Sequence, residues 1–194
     1  MNAVATPEEV LAYWFGPLDK FGNTVADQSP LWWQKNEAAD VAIKERFEAT
    51  VQAAAGGSLD AWAKTPAGRL ALIVTLDQFP RNIYRGTPQS FAYDSKALAL
   101  SRDGIARDDD QQLPFAYRVF FYLPLEHAED RAMQAQSVGH FVQLLDTAPE
   151  PIQAAAANYF DYAKRHQVII DRFGRFPHRN DILGRTSTDE ELAF

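Results

Sequence analysis

Two short segments of the chain place arginine and asparagine soon after a Phe-Pro pair. The first is LDQFPRN at residues 76–82, and the second is DRFGRFPHRND at residues 171–181. The planar guanidinium group of arginine can pair with a carboxylate or phosphate through two parallel hydrogen bonds. The segments therefore predict a cleft for a small anion, walled by Phe79 and Phe176. The candidate ligand-binding residues are Arg81, Asn82, Arg175, His178, Arg179 and Asn180.

A third polar segment, LPLEHAED at residues 123–130, could do acid–base chemistry. We expect a long helix from about residue 126 to 145, which would put Glu126, Glu129 and Asp130 on one face beside His127. Carboxylates and an imidazole in this arrangement could transfer protons or hold a divalent metal. The segment contains neither Glu-x-x-His nor His-x-x-x-His, so no metal site is predicted. Acidic residues in a first helical turn more often complement the helix dipole.

The same charged residues also allow a purely structural interpretation. Three apolar helices are each predicted to end in one of these polar segments, and charges near a core must be paired or hydrogen-bonded. Salt bridges among Asp77, Arg81, Asp171 and Arg179 would then lock the helix ends together. The two interpretations are compatible, because a cleft lined by structural arginines can also bind an anion.

Composition narrows the class of protein. The chain has 194 residues, a net charge of -7 and no cysteine, which excludes disulfides and thiolate chemistry. The acidic balance argues against nucleic acid as a partner. No apolar run approaches the length of a membrane span, and the N-terminal residues lack the pattern of a signal peptide. No phosphate-binding loop or dinucleotide motif is present, so no cofactor is predicted. We expect a cytoplasmic protein that does not bind membranes.

Helix signals dominate the whole chain. Thr6-Pro7 and Thr65-Pro66 are typical helix starts, and Gly16 and Gly56 are typical helix ends. Residues 66–78 are apolar nearly all round, which predicts a buried helix. A proline disfavours helical geometry in the residue before it, so we expect the two helices before the Phe-Pro pairs to end at or before the phenylalanine. Pro124 is expected to interrupt another apolar helix. The prediction is an all-α protein with a single domain, residues 1–194, of packed antiparallel helix pairs.

Several stretches together resemble a known bacterial family. They are YWFG at 13–16, DQFPRN at 77–82, YLPLEHAED at 122–130, RFGRFPHRN at 172–180 and LGRTSTDEE at 183–191. On these residues the chain is similar to the family known as domain of unknown function number 924. The resemblance implies an all-α fold of the tetratricopeptide-like superhelical type. It implies no established activity, cofactor or catalytic residue.

Three hypotheses for function follow. The first is a binding protein whose cleft recognises a small anion or a carboxylate-bearing peptide. The second is an enzyme in which Glu126 or His127 acts as general acid or base, with or without a metal, while His178 and the arginines stabilise developing negative charge. The third is a structural or assembly role without a ligand. The oligomeric state stays open.

Overall fold

The computed structural model describes residues 3–194, and helices joined by short turns make up most of this range. The α-helices are α1 Pro7–Phe15, α2 Ser29–Trp32, α3 Glu37–Ala55, α4 Pro66–Ile73, α5 Phe79–Ile83, α6 Asp94–Ile105, α7 Phe115–Glu126, α8 Arg131–Asp146, α9 Gln153–Phe173 and α10 Asp189–Leu192. Short 3-10 turns occupy Asp60–Lys64, Pro88–Phe91, Asp110–Gln112, Glu150–Ile152 and Pro177–Arg179. The described residues form no β-strand, only an isolated bridge between Leu18 and Thr24. The all-α prediction is confirmed.

The helix starts predicted at the two threonines are present. The hydroxyl of Thr6 accepts a hydrogen bond from the backbone N–H of Glu9 at 3.3 Å, and the Glu9 carboxylate accepts one from the backbone N–H of Thr6 at 2.8 Å. This reciprocal capping box satisfies two backbone donors that the first helical turn leaves unpaired. Thr65 caps α4 in a similar way through the N–H of Gly68, at 3.1 Å. The predicted ends of α1 at Gly16 and of α3 at Gly56 are also confirmed.

Helices α4 and α7 form the centre of the core. Every residue from 68 to 73 in α4 is buried, and so is every residue from 119 to 126 in α7. Helix α1 packs Trp14 edge-on against Phe79 and Phe120, with ring centroids 5.6 and 5.7 Å apart. Because both central helices lead directly into polar segments, the fold brings charged side chains to the edge of the apolar core.

One predicted helix end is wrong. Helix α4 does not stop before Phe79 but passes through a π-helical turn, Val74–Gln78, into α5. The backbone N–H of Phe79 bonds to the carbonyl of Val74, five residues earlier, which is the wider spacing of a π-helix. This wider turn makes room for Pro80, whose ring would clash with a carbonyl in a regular helix and which has no N–H to donate. The turn places Asp77 and Gln78 inside the protein.

Two further boundaries differ from the prediction. Helix α7 continues through Pro124 to Glu126, since a proline so near the end of a buried helix removes only one hydrogen bond. Helix α8 begins at Arg131 rather than near residue 126, because Asp130 caps it by accepting a hydrogen bond from the N–H of Met133 at 3.0 Å. Glu126 therefore ends one helix, Asp130 begins the next, and Glu129 lies between them. The three acids do not share a helix face.

Helix α9 is the long element that covers the ends of α7 and α8. It ends, as predicted, before the second Phe-Pro pair, because Gly174 takes a left-handed conformation with φ 69° and Phe176 is extended. Tyr159, Tyr162 and His166 lie three and four residues apart on α9, so they share one face. None of the helices in residues 3–194 is long and apolar enough to cross a membrane.

Candidate functional site

A cavity of about 390 Å³ lies between α2, the π-helical turn, α5, α7 and α9. Its volume is within the range of pockets that bind small molecules. The lining residues are Trp32, Trp33, Gln78, Arg81, Leu123, Glu126, His127, Asn158, Tyr159, Tyr162 and His166. Burial sorts them by depth: Gln78 and Glu126 are 5% and 4% exposed and form the floor, whereas Trp33 and Tyr162 are 48% and 49% exposed and form the mouth.

Asp77 is the buried carboxylate behind the cavity floor. Its Oδ1 atom lies 2.7 Å from Nδ1 of His127 and 3.1 Å from Nη2 of Arg81. Its Oδ2 atom accepts a hydrogen bond from the side-chain amide of Gln78. Burial alone would raise the pKa of Asp77, but the contacts with His127 and Arg81 lower this pKa below its ordinary value. Asp77 is therefore ionised and holds His127 in place.

His127 follows the last residue of α7 and lines the cavity. Burial lowers its pKa below the ordinary value, in spite of the opposing attraction of Asp77. We assign the neutral imidazole with its proton on Nδ1, because the Asp77 carboxylate can only accept. Nε2 then carries a lone pair, and no described residue donates a hydrogen bond to it. His127 thus offers a base to a molecule in the cavity, oriented by a carboxylate.

Glu126 ends α7 and faces His166 across the cavity floor. Its Oε1 atom lies 3.1 Å from Nδ1 of His166, and that nitrogen also donates to the carbonyl of Tyr162 at 2.9 Å. Burial raises the pKa of Glu126 to about 8, and the negative charge of Asp77 acts in the same direction. Burial also lowers the pKa of His166. At neutral pH the carboxyl of Glu126 is mainly protonated and can donate a proton.

Arg81 connects the cavity to a second layer of charges. One guanidinium nitrogen, Nη2, donates both to Asp77 and to Oδ2 of Asp94, each at 3.1 Å. The same Asp94 oxygen lies 3.6 Å from Nη1 of Arg179. Burial raises the pKa of Asp94 and lowers that of Arg179 to about 10. Two carboxylates and two guanidinium groups thus form one partly buried network behind His127.

The aromatic wall of the cavity is held by packing and one hydrogen bond. Trp32 donates its indole N–H to the carbonyl of Trp14 at 2.9 Å. Trp33 stacks on Phe120 with ring planes 12° apart and centroids separated by 5.6 Å. Burial raises the pKa of Tyr159 to about 12, so its hydroxyl stays protonated. These side chains present a preformed apolar surface opposite the polar floor.

The family of the chain follows from comparison with known proteins. Residues 10–194 match the family model described as bacterial protein of unknown function, DUF924. The chain belongs to this family. A solved structure of a protein of unknown function from Agrobacterium tumefaciens is similar to it, with 37% sequence identity and a TM-score of 0.77 over 96% of this chain and 94% of that one. A search of curated proteins gives no match. The resemblance drawn from the sequence motifs is confirmed.

Two of the predicted ligand-binding residues of this DUF924 protein belong to the cavity or its supporting network. Arg81 lines the cavity, and Arg179 lies one step behind it, against Asp94. Both candidates for acid–base chemistry in the third segment, Glu126 and His127, also line the cavity. The first and third polar segments therefore meet at the cavity. The second segment lies behind it, with Arg179 facing Asp94 and the ring of Phe176 5.5 Å from that of His166.

The remaining predicted residues lie elsewhere. Asn82 donates to Asp40 at 2.8 Å. Arg175 makes two hydrogen bonds to Glu191, at 2.6 and 2.7 Å, and Asn180 donates to Ser187 at 2.9 Å. His178 is exposed, with its ring 5.6 Å from that of Phe176. Phe79 and Phe176 are fully buried, but neither lines the cavity.

Several cavity residues had no place in the sequence-based site. The residues predicted from the sequence include none of Trp32, Trp33, Gln78, Tyr159 and His166, all of which line the cavity. The spacing of Tyr159, Tyr162 and His166 on one helix face was visible in the sequence and could have indicated a shared surface. Among the described residues, no group of three or more histidines, cysteines, aspartates or glutamates is arranged to hold a metal ion.

Proposed function

We propose that this protein is an enzyme that transfers protons on a small molecule bound in the cavity, with His127 as general base and Glu126 as general acid. The observation that carries the proposal is the 2.7 Å contact between Asp77 and His127 in the cavity wall. A carboxylate that fixes the tautomer and orientation of a histidine is a recurrent way to prepare a catalytic base. Glu126 and His127, which are neighbours in the sequence, thus act as acid and base in the same cavity.

The opposite pKa changes of the two residues support this assignment. Glu126 has a pKa raised to about 8 by burial, and His127 has a pKa lowered by burial. An acid that keeps its proton at neutral pH and a base that lacks one are the pair that general acid–base catalysis requires. The two side chains come from adjacent residues and line the same cavity, so both can reach one bound molecule.

The lining favours a particular class of reaction. It includes no serine, threonine, cysteine or lysine, the side chains that most often form covalent intermediates. The site is therefore suited to reactions that need only proton transfer, such as isomerisation, elimination or addition of a water molecule activated by His127. In each case the base removes a proton from carbon or water while Glu126 protonates the developing anion or leaving group.

The test is an activity search with matched variants. A bacterial small-molecule extract is incubated with the wild-type protein, His127→Asn or Glu126→Gln, and substrate loss and product gain are followed by mass spectrometry. We expect a conversion by the wild type that falls by a factor of 10² or more in each variant. A conversion that survives both substitutions, or none in any sample, would contradict the proposal. Folding of the variants is checked by circular dichroism.

Recognition of a small anion or carboxylate-bearing peptide remains a second proposal, supported by Arg81 in the cavity wall. Its support is weaker, because Asp77 and Asp94 already neutralise that arginine. The tetratricopeptide-like arrangement also stays a proposal, since it rests on the family resemblance and on the serial packing of α6 to α9. A cytoplasmic location and the lack of a nucleic-acid partner stay predictions from composition.

A further inference from the structure

The charges around the cavity floor cancel within the protein. Arg81 lies between Asp77 and Asp94, and Asp94 also faces Arg179. These four side chains contribute two positive and two negative charges. In the described part of the chain, no unpaired arginine or lysine contacts Glu126 or His127, the other two ionisable residues beside the floor. A ligand that enters the cavity therefore meets hydrogen-bonding groups without a net charge to pair with.

The mouth and the upper wall are aromatic. Trp33 and Tyr159 lie with ring centroids 6.1 Å apart, and Trp32 packs against Trp33 at 5.9 Å. Leu123 completes the apolar part of the lining. Rings of this kind bind planar apolar groups through stacking and edge contacts. A cavity of about 150 Å³ already accommodates benzene, so a volume of about 390 Å³ has room for an aromatic ring with a polar substituent.

We propose that the cavity binds an uncharged molecule with an aromatic body, whose polar head accepts a hydrogen bond from Glu126 and donates one to His127. An amide or a related carbonyl compound has this chemistry. The inference rests on the proposed function in that both concern the same cavity, but it is a statement about binding and does not require turnover. It replaces the small anion of the sequence-based hypothesis with a neutral ligand, for the electrostatic reason given above.

Three probes of nearly equal shape test the charge of the ligand head. Benzamide is neutral, benzoate is negative and benzamidine is positive, and each carries an aromatic ring. Binding to the full chain is measured at pH 7 by ligand-observed NMR and by chemical-shift changes of the protein. We expect benzamide to bind on the order of tenfold more tightly than benzoate, because the floor offers the carboxylate no free cation. Benzoate as the tightest probe would overturn the proposal and favour an anion site.

The pH dependence of probe binding provides a second test. The titratable and charged groups facing the cavity or just behind it are Asp77, Arg81, Asp94, Glu126, His127, Tyr159, Tyr162, His166 and Arg179. Among the buried acids and histidines of the floor, Glu126 has its pKa at about 8, so it loses its proton between pH 7 and pH 9. We expect benzamidine to gain affinity over this interval and benzoate to lose it. Glu126→Gln should abolish both changes, and pH dependence that persists in this variant would contradict the inference.

A matched pair of aromatic substitutions locates the binding. Trp33 is 48% exposed at the mouth, and Phe194 is 64% exposed but does not line the cavity. Trp33→Leu should weaken benzamide binding roughly threefold to tenfold, whereas Phe194→Leu should leave it unchanged. Equal effects of the two substitutions would place the probe elsewhere and overturn the inference. If benzamide binds as expected but no conversion is ever found, the proposed catalysis fails while this inference stands.

Discussion

Two glutamates with nearly buried side chains have opposite electrostatic surroundings. Glu191 accepts two hydrogen bonds from Arg175 and one from the backbone N–H of Thr188, at 2.6 to 2.7 Å. These contacts lower its pKa to about 2, with the Arg175 hydrogen bonds as the largest cause. The Glu126 carboxyl lies 3.1 Å from His166, and burial, together with the negative charge of Asp77, raises its pKa to about 8. One glutamate is stabilised as an anion, and the other is kept as an acid.

The difference extends to the two clusters around these residues. In the C-terminal cluster, which comprises Glu129, Arg175, Asn180, Arg185 and Glu191, each carboxylate is held by an arginine. In the cavity cluster, which comprises Asp77, Arg81, Asp94, Glu126, His127, His166 and Arg179, one carboxyl group has no cationic partner of its own. A buried group without such a partner lowers stability, and such departures from optimal pairing concentrate at functional sites. The comparison therefore supports the proposal that the C-terminal cluster stabilises the fold and that the cavity cluster carries the chemistry.

The largest effect is expected from Asp77→Ala. This substitution removes the carboxylate that Arg81 and His127 share and leaves both without it in a buried site, at a cost of about 3–5 kcal/mol in the free energy of unfolding. The control is Asp161→Ala, which breaks the surface pairs with Lys164 and Arg165 and should change stability by no more than about 0.5 kcal/mol. Both are measured by urea denaturation. Equal losses for the two variants would show that Asp77 has no special role in the cavity cluster.

The sequence predicted the helices well because their ends depend on local chemistry. The capping threonines Thr6 and Thr65 and the terminal glycines act within one turn of the helix, so their pattern is readable without the fold. The prediction failed at Phe79 and Pro124, where a proline stays inside a helix. In both places burial of the surrounding helix outweighs the local cost of the proline, and only the tertiary structure supplies that burial.

The candidate site could be predicted only in part. The sequence singled out Arg81, Glu126 and His127, because charged groups at the ends of apolar helices must lie near the core. It could not assign partners to the arginines, since Arg81 and Arg179 meet Asp94 while Arg175 meets Glu191 only through the path of the chain. The arginines of the two similar Phe-Pro segments therefore differ in their partners, and the local sequence does not determine which acid each arginine meets.

The second prediction contrasts Glu126→Gln with Glu191→Gln. Because the folded-state pKa of Glu126, about 8, is above its ordinary value of 4.5, the folded protein binds an extra proton between these values and loses stability as the pH rises through this range. Glutamine does not titrate, so the Glu126→Gln variant does not lose stability in this way. Glu126→Gln should therefore be more stable than the wild type above pH 8, by on the order of 3 kcal/mol, and nearly equal to it at pH 4.

Glu191→Gln should have the opposite sign. The folded-state pKa of Glu191, about 2, is below its ordinary value of 4.5, so its contribution is complete above pH 4.5 and disappears as the pH falls towards 2. The variant should be less stable than the wild type at neutral pH, and the difference should shrink in acid. Thermal unfolding of both variants at several pH values measures these trends. Changes of the same sign in the two variants would remove the contrast between the clusters.

The smallest effect, a change in the pKa values of two histidines, is expected from replacing single arginines of the second Phe-Pro segment. Arg179 lowers the pKa of both His166 and His178, in addition to the effect of burial. Arg179→Gln should therefore raise both pKa values, because a nearby positive charge is removed. Arg175→Gln should leave both pKa values unchanged, because Arg175 is bound to Glu191 and its charge is compensated there.

Proton NMR titration of the four histidines in each variant measures these shifts. The outcome decides whether Arg175 of the C-terminal cluster acts on the two histidines in the way that Arg179 does. Upward shifts of the His166 and His178 pKa values in Arg179→Gln alone would mean that Arg179, and not Arg175, is the arginine of the second Phe-Pro segment that acts on the cavity. Equal shifts in Arg175→Gln would instead mean that both clusters form one charged network. In that case Arg175 would act on the cavity as well as on the C-terminal cluster, and the division between structural and chemical residues would not hold.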